Sequence, residues 1–295
     1  MEDKKQKAGQ IRKKEILDVA KKVFLKKGFA DTVMEDIITE TSLSRGGVYY
    51  HYKNKVEILH DLMKEGIAYR VDKMKEFFEQ DTVSLAKNLL GKLILVKKNN
   101  ELLGGYIVET EAYLGVVDRA CHGFEGKLTP KVEALFGKAG TVYIYTMHTH
   151  KMLNIVSCEE GNPQAVLIRG IEPVINVERM IENRGKEGIL ISNGPGKLTK
   201  AMGIGDVFNK SKICEIRKKF QKASKELVYD IENIEENVLY IDFENSKTPK
   251  NIESSARIGI PNKGIWTEKE LRYFVAGNKY VSGMKKSEFK DECWK

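Results

Sequence analysis

Residues 105–115 read GYIVETEAYLG. Side chains alternate along an extended strand, so Ile107, Glu109, Glu111 and Tyr113 fall on one face. Two carboxylates and a phenol are an unusual lining for an apolar core, because an unpaired carboxylate is costly to bury. Two readings follow: a general base beside an aromatic platform, or a solvated edge strand. Strand-like runs lie to either side of this stretch: LILV (93–96), TVYIY (141–145), AVLIR (165–169) and VLYIDF (238–243). The turn Lys98-Asn99-Asn100 is short enough to join antiparallel neighbours. Leu85, Leu89 and Leu90 predict a helix ended by Gly91, and another is expected around Val177–Glu182. From about Asp81 the chain is therefore expected to be α+β, with a mainly antiparallel sheet.

Upstream the pattern is helical almost throughout. Ile16, Ala20, Val23 and Phe24 share one face, followed by Phe29, with Gly28 as the stop. Thr32 followed by Glu35 has the spacing of a capping box for a helix through Met34, Ile37 and Ile38. Ser44 is placed to cap a short helix from Arg45 to about Tyr50, and a longer helix starts near Asn54. Two helices joined through Thr41-Ser42-Leu43 have the dimensions of a helix-turn-helix, whose second helix enters the major groove. Ser44, Arg45, Tyr49, Tyr50, His51, Lys53 and Lys55 are then the candidate DNA contacts. No Pro/Gly/Ser linker separates the halves, so domains of about 1–72 and 73–295 are expected to adjoin directly.

The 295 residues carry 50 Lys and Arg against 42 Asp and Glu, a net charge of +8. A basic excess favours polyanion partners through counterion release, and it gains weight when motifs agree with it. No apolar run approaches the ~18 residues of a membrane span. The terminus MEDKKQKAGQ lacks the apolar core of a signal peptide. A cytoplasmic, nucleoid-associated protein with no membrane partner is expected. The four cysteines, Cys121, Cys158, Cys214 and Cys293, lie far apart and predict neither a disulfide framework nor a zinc ribbon.

The segments ILDVAKKVFLKKGFADTVMEDI (16–37) and SRGGVYYHYKNKVEIL (44–59) resemble the DNA-binding domain of TetR-family regulators, over roughly residues 10–65. Ile38 stands where that family has alanine and Ser42 where it has a turn glycine, so looser packing of the two helices is expected. The family's large dimerising domain is absent, and a monomer is expected, with a dimer through the amino-terminal domain as the alternative. The second half carries an ordered series: EFFEQDTVSLAKNLLGK (76–92), ETEAYLG (109–115), CHG (121–123), GTVYIY (140–145), MLNIVS (152–157), VLIRGIEP (166–173), NGPGKLTKAMGI (193–204), ARIGI (256–260) and LRYFVAGNKYVS (271–282). In this order the motifs resemble the alkyladenine (3-methyladenine) DNA glycosylases of the AAG/MPG type.

That resemblance implies a monofunctional base-excision enzyme that flips a damaged purine out of the duplex and hydrolyses its N-glycosidic bond. Alkylated purines (3-methyladenine, 7-methylguanine) and deaminated ones (hypoxanthine) are the implied substrates, in double-stranded DNA. Glu111 would be the general base, with Arg169 and the backbone carbonyl of Ile258 helping to hold the water. Tyr113, His122 and Tyr145 would line the pocket, and Asn154 would exclude guanine's amino group. After Tyr145 the chain departs from the family, reading TMHTHKMLN with no intercalating tyrosine, which leaves Met147 or His148 as the DNA wedge. Lys197 would lie near a phosphate. No cofactor, no metal and no nucleophilic lysine are implied.

Other motifs carry less. His148-Thr149-His150 lacks further ligands at metal-site spacing, and Asn193–Lys197 fails the spacing of a phosphate loop. Phe77 and Phe78 read as packing residues. The basic run Lys210–Lys222 reads as a solvated helix face or as part of a DNA footprint. The rival function is a TetR-type transcriptional regulator that uses the glycosylase fold as a damage sensor.

Overall fold

A computed structural model describes residues 2–216, 229 and 231–295. The chain forms two compact units, Met1–Lys73 and Met74–Lys295. The first is all helical: α1 (Glu2–Lys27), α2 (Met34–Ile38), α3 (Arg45–His51) and α4 (Lys55–Phe78), within which the division falls. Its core is Ile16, Leu17 and Ala20 of α1, Ile37 of α2, Val48 of α3, Tyr52, and Ile58 of α4. α1 begins well before Ile16. Residues 2–10 are rich in helix-favouring Lys and Gln but have no apolar stripe, so periodicity cannot reveal them.

One cap differs from expectation. The Thr32 hydroxyl turns back to donate to the Gly28 carbonyl (2.7 Å), and Val33 takes the cap position, its N–H donating to the Asp36 carboxylate (2.8 Å). Ser44 caps α3 as expected, accepting from the Gly47 N–H (3.2 Å). Nor do the two departures from the TetR pattern open the turn. Ile38 packs against the core, and Ser42 avoids the left-handed conformation that would need glycine. The Ser42 N–H donates to the Glu15 carboxylate (2.6 Å).

The second unit takes the last residues of α4 and continues with α5 (Thr82–Asn88), whose first turn donates from Ser84 to the Asp81 carboxylate. The strands are β1 (Leu93–Lys98), β2 (Glu101–Tyr113), β3 (Val142–Met147), β4 (His150–Ser157), β5 (Gln164–Ile175), β6 (Cys214–Glu215), β7 (Leu239–Asp242), β8 (Ile252–Ser255) and β9 (Arg272–Val275). Helices α6 (Val177–Arg184) and α7 (Pro195–Ala201) follow β5, and α8 (Ile265–Glu268) precedes β9. Among the described residues the sheet order is β3-β4-β5-β2-β1-β7-β6, with β9 also on β2 and β8 on β9. Every pair is antiparallel except β6 with β7.

The long strand β2 organises the unit. One edge pairs with β5 from Gly104 to Tyr113; the other pairs with β1 up to Tyr106 and with β9 over Glu109–Glu111. The change of partner coincides with register shifts against β5 on both sides of Glu109. Bulges of this kind re-aim side chains, and here they flank Glu109. Asn99 and Asn100 form the β1–β2 turn in left-handed conformation. The main core packs Leu85, Leu89, Ile94, Ile107, Ile155, Ile168 and Leu198 together, with Phe78 buried among them. Phe77 meets Phe243 edge-on, so both phenylalanines are packing residues.

The cysteines are free thiols. Among the described residues no helix is long and apolar enough to cross a membrane, and no cluster of His, Cys, Asp and Glu has the makings of a metal site. Residues 217–222 of the basic run lie outside the described residues.

Candidate active site

Glu109 and Glu111 of β2 are both fully buried, which rules out the solvated-edge reading, and they have different partners. Glu109 accepts from Arg169 Nε (3.1 Å), Arg272 Nε (2.7 Å), the Ser282 N–H (2.8 Å) and the Ser282 hydroxyl (2.6 Å). Glu111 pairs with the Arg169 guanidinium (3.2 Å) and accepts from the Ile258 N–H (2.8 Å) and the Tyr113 hydroxyl (2.8 Å). Burial pushes the Glu111 carboxyl above its ordinary range, opposed by Arg169, the Ile258 N–H and Tyr113, while Glu109 adds to the upward push. A base with a raised pKa is a stronger proton acceptor once ionised.

Tyr113 connects Glu111 to a cleft. Its walls include Tyr113, Cys121, His122, Tyr143, Tyr145, Met147, Asn154 and Ile260. His122 lies edge-on to Tyr145, ring centroids 4.5 Å apart, and its Nδ1 shares a hydrogen bond with the Tyr143 hydroxyl (2.8 Å). Burial lowers the His122 pKa, favouring neutral imidazole, and pushes the Tyr145 phenol up to about 12. Asn154 is buried with its amide donating to the Tyr143 and Met152 carbonyls (3.2 Å each). Four aromatic rings and a fixed amide thus line a partly apolar cleft beside a buried carboxylate.

The back of the cleft is held by an ion pair that sequence reasoning did not single out. Arg257 and Asp118 have fully buried side chains and form two contacts (2.5 and 2.9 Å). Arg257 also donates to the carbonyls of Ala112 and Trp266, and its guanidinium lies 4.6 Å from the Tyr113 ring centroid. Asp118 in turn accepts from the N–H groups of Leu114 and Ala120, close to His122. The pair therefore joins the loop carrying His122 to the loop carrying Ile258. It is Ile258's N–H that the structure places on Glu111.

Met147 is 42% exposed and lines the cleft at the end of β3. His148 and Thr149 form a two-residue turn, both in left-handed conformation, and Met147 pairs with His150 where the hairpin closes. Lys197, on α7, donates to the Asn193 side chain (2.7 Å). In the amino-terminal unit Tyr50 is 85% exposed, Arg45 stands beside Tyr49 and Glu35, and Ser44 and Lys53 are exposed while His51 is half-buried. Lys55 differs from them. Its ammonium donates to the carbonyls of Phe29, Ala30 and Thr32 (2.9, 2.9 and 2.7 Å), so all three of its protons hold the loop before α2.

Residues 76–279 match the sequence profile of a family described as Methylpurine-DNA glycosylase (MPG), and residues 16–62 that of Bacterial regulatory proteins, tetR family. A Staphylococcus saprophyticus protein named "Putative 3-methyladenine DNA glycosylase" is 48% identical over 215 residues, which cover 73% of this chain and 96% of that protein. A Staphylococcus aureus (strain MRSA252) protein of the same name is 46% identical over 222 residues, 75% of this chain and all of that protein. The class is that of DNA glycosylases, hydrolases acting on the N-glycosidic bond. The chain belongs to the methylpurine-DNA glycosylase family and carries a TetR-type helix-turn-helix ahead of that domain.

Proposed function

We propose that this protein removes methylated and deaminated purines, 3-methyladenine, 7-methylguanine and hypoxanthine among them, from double-stranded DNA by flipping and hydrolysis. The observation that carries the reading is Glu111: a buried carboxylate one hydrogen bond from Tyr113, itself a wall of an aromatic-lined cleft. In the flipped state Glu111 takes a proton from a water whose oxygen bonds to the sugar C1′ as the C1′–N bond breaks. A cationic methylated base departs with the bonding pair as a neutral purine, whereas hypoxanthine departs as its anion and takes up a proton from solvent. Glu111 and Arg169 orient the water, with the Ile258 carbonyl as a further acceptor, and the carboxylate stabilises the developing positive charge on the sugar.

Aromatic faces suit an electron-poor purine, each contact with a cation contributing ~0.5–2 kcal/mol. The fixed Asn154 amide is proposed to disfavour guanine's exocyclic amine, so that ordinary guanine is spared while 7-methylguanine, with its labile cationic N-glycosidic bond, still reacts. The reaction ends at an abasic site, since the mechanism assigns no amine to attack C1′. Borohydride should therefore trap no protein–DNA adduct while abasic sites accumulate; a trapped adduct would contradict hydrolysis by water.

Met147 and His148, at the hairpin tip, are the side chains proposed to fill the gap left by the flipped base. Met147→Ala is expected to slow excision by about 10-fold, because each unstacked step costs a few kcal/mol that a wedge offsets. Single-turnover excision from a mismatched lesion, already easy to flip, should be much less affected. Equal slowing on paired and mismatched lesions would remove Met147 from this role.

The amino-terminal unit is proposed to add DNA affinity through Ser44, Arg45, Tyr49, Tyr50, His51 and Lys53, with Lys197 as a phosphate neighbour in the second unit. Lys55 supports this surface from behind. Arg45→Ala should lower the slope of log affinity against log salt by about 0.9 while leaving the single-turnover rate on saturating DNA unchanged. An unchanged slope would mean that Arg45 meets no phosphate.

A further inference from the structure

Glu109 is left over from the chemistry just described. It is as buried as Glu111, it lies on the same strand, and it touches no wall of the cleft. We propose that Glu109 is a positioning residue: it grips Arg169 at Nε so that the other side of the same guanidinium stays on Glu111. This inference rests on Glu111 being the base.

The geometry is specific. Arg169 presents Nε to Glu109 (3.1 Å) and Nη1 to Glu111 (3.2 Å), so one planar cation bridges two residues of β2. A guanidinium is rigid, and fixing one nitrogen fixes the others. Glu109 is anchored in its turn from two further elements. Arg272 of β9 donates to it through Nε (2.7 Å), and also donates to the Ser255 hydroxyl and the Ser282 carbonyl. Ser282 donates to it from both its backbone N–H and its hydroxyl. Gly170 makes room for this arrangement. A Cβ there would stand 2.8 Å from the Tyr280 carbonyl oxygen and 3.3 Å from the Glu109 carboxylate. The register shifts of β2 against β5 on either side of Glu109 let it meet that glycine.

The charges around Glu111 are those of Arg169 on β5, Glu109 beside it on β2, Arg272 behind Glu109 on β9, and the Arg257–Asp118 pair across the Tyr113 ring. The Tyr113 and Tyr145 phenols also face it. Glu109 therefore acts on Glu111 twice: it fixes the guanidinium that faces Glu111, and its negative charge stands beside Glu111 and shares that cation. Neutralising Glu109 leaves Arg169's full charge to Glu111. Neutralising Arg272 does the opposite, since it leaves Glu109's negative charge beside Glu111 less compensated.

The test is single-turnover excision of 7-methylguanine from a duplex across pH, using full-length protein with active sites titrated. This base is already cationic, so the acid limb reports the general base instead of leaving-group protonation. Glu109→Gln should move the acid limb down by about one pH unit and lower the plateau about 10-fold; Arg272→Gln should move the limb up. A purely structural role lowers the plateau and leaves the limb in place. Limbs that stay put, or that move in the same direction, overturn the proposal. If Glu109→Gln does not fold, the Arg272→Gln limb alone decides it. A Glu111→Gln variant with full excision would overturn the underlying reading instead, so the two failures are distinguishable.

Discussion

Glu111→Gln is expected to lose excision by about 10²–10⁴-fold, the range for removing a positioned general base, while binding lesion-containing duplex as tightly as the parent. The same substitution should raise stability at neutral pH. Burial lifts the Glu111 carboxyl above 4.5, so the folded protein holds its proton at pH values where the unfolded chain has released it. Stability therefore falls as pH rises from 4.5 through the folded value, and above that window the buried carboxylate is a standing cost. Glutamine keeps the shape without the charge. The melting temperature of Glu111→Gln should exceed the parent's at pH 7, and the gap should close towards pH 4. A Glu111→Gln protein less stable than the parent at pH 7 would show that this carboxylate is held for structure.

The largest stability effect is expected at Arg257. Its ion pair with Asp118 is fully buried, and removing one partner leaves an uncompensated charge, at a cost of about 3–5 kcal/mol. That is a large part of a typical domain's total stability. Arg257→Ala should therefore shift the urea midpoint of the glycosylase unit strongly. Asp118→Asn combined with Arg257→Gln should lose clearly less than the sum of the single variants, because no buried charge is then stranded. Strict additivity would mean that the two side chains do not act as a pair. Whatever Arg257→Ala protein remains folded should excise slowly, since Ile258 follows Arg257 in the chain and donates to Glu111.

The sequence reveals much of this site and hides its supports. Alternation along 105–115 puts Glu109, Glu111 and Tyr113 on one face, and the structure keeps them there. Alternation says nothing about which carboxylate is free for chemistry. That choice is made by Arg272 and Ser282, more than 160 residues further on, through strand β9. Only four residues long, β9 is buried throughout and so lacks the alternation that marks a half-exposed strand. Its neighbour β8 has the opposite difficulty, being mostly exposed. Arg257 was invisible for a related reason: a lone arginine in a loop reads as a surface charge until its buried aspartate is located. In the helical unit, residue type alone could not tell a lysine that faces solvent from Lys55, whose protons are all taken by carbonyls in its own fold.

The most direct test of the central claim is excision from a duplex carrying one hypoxanthine, with methylated DNA in parallel. Alkali-labile abasic sites and free 3-methyladenine should form with the parent and vanish with Glu111→Gln. Tight binding to both substrates with no base released by the parent would contradict the claim and leave a damage-sensing DNA-binding protein in its place.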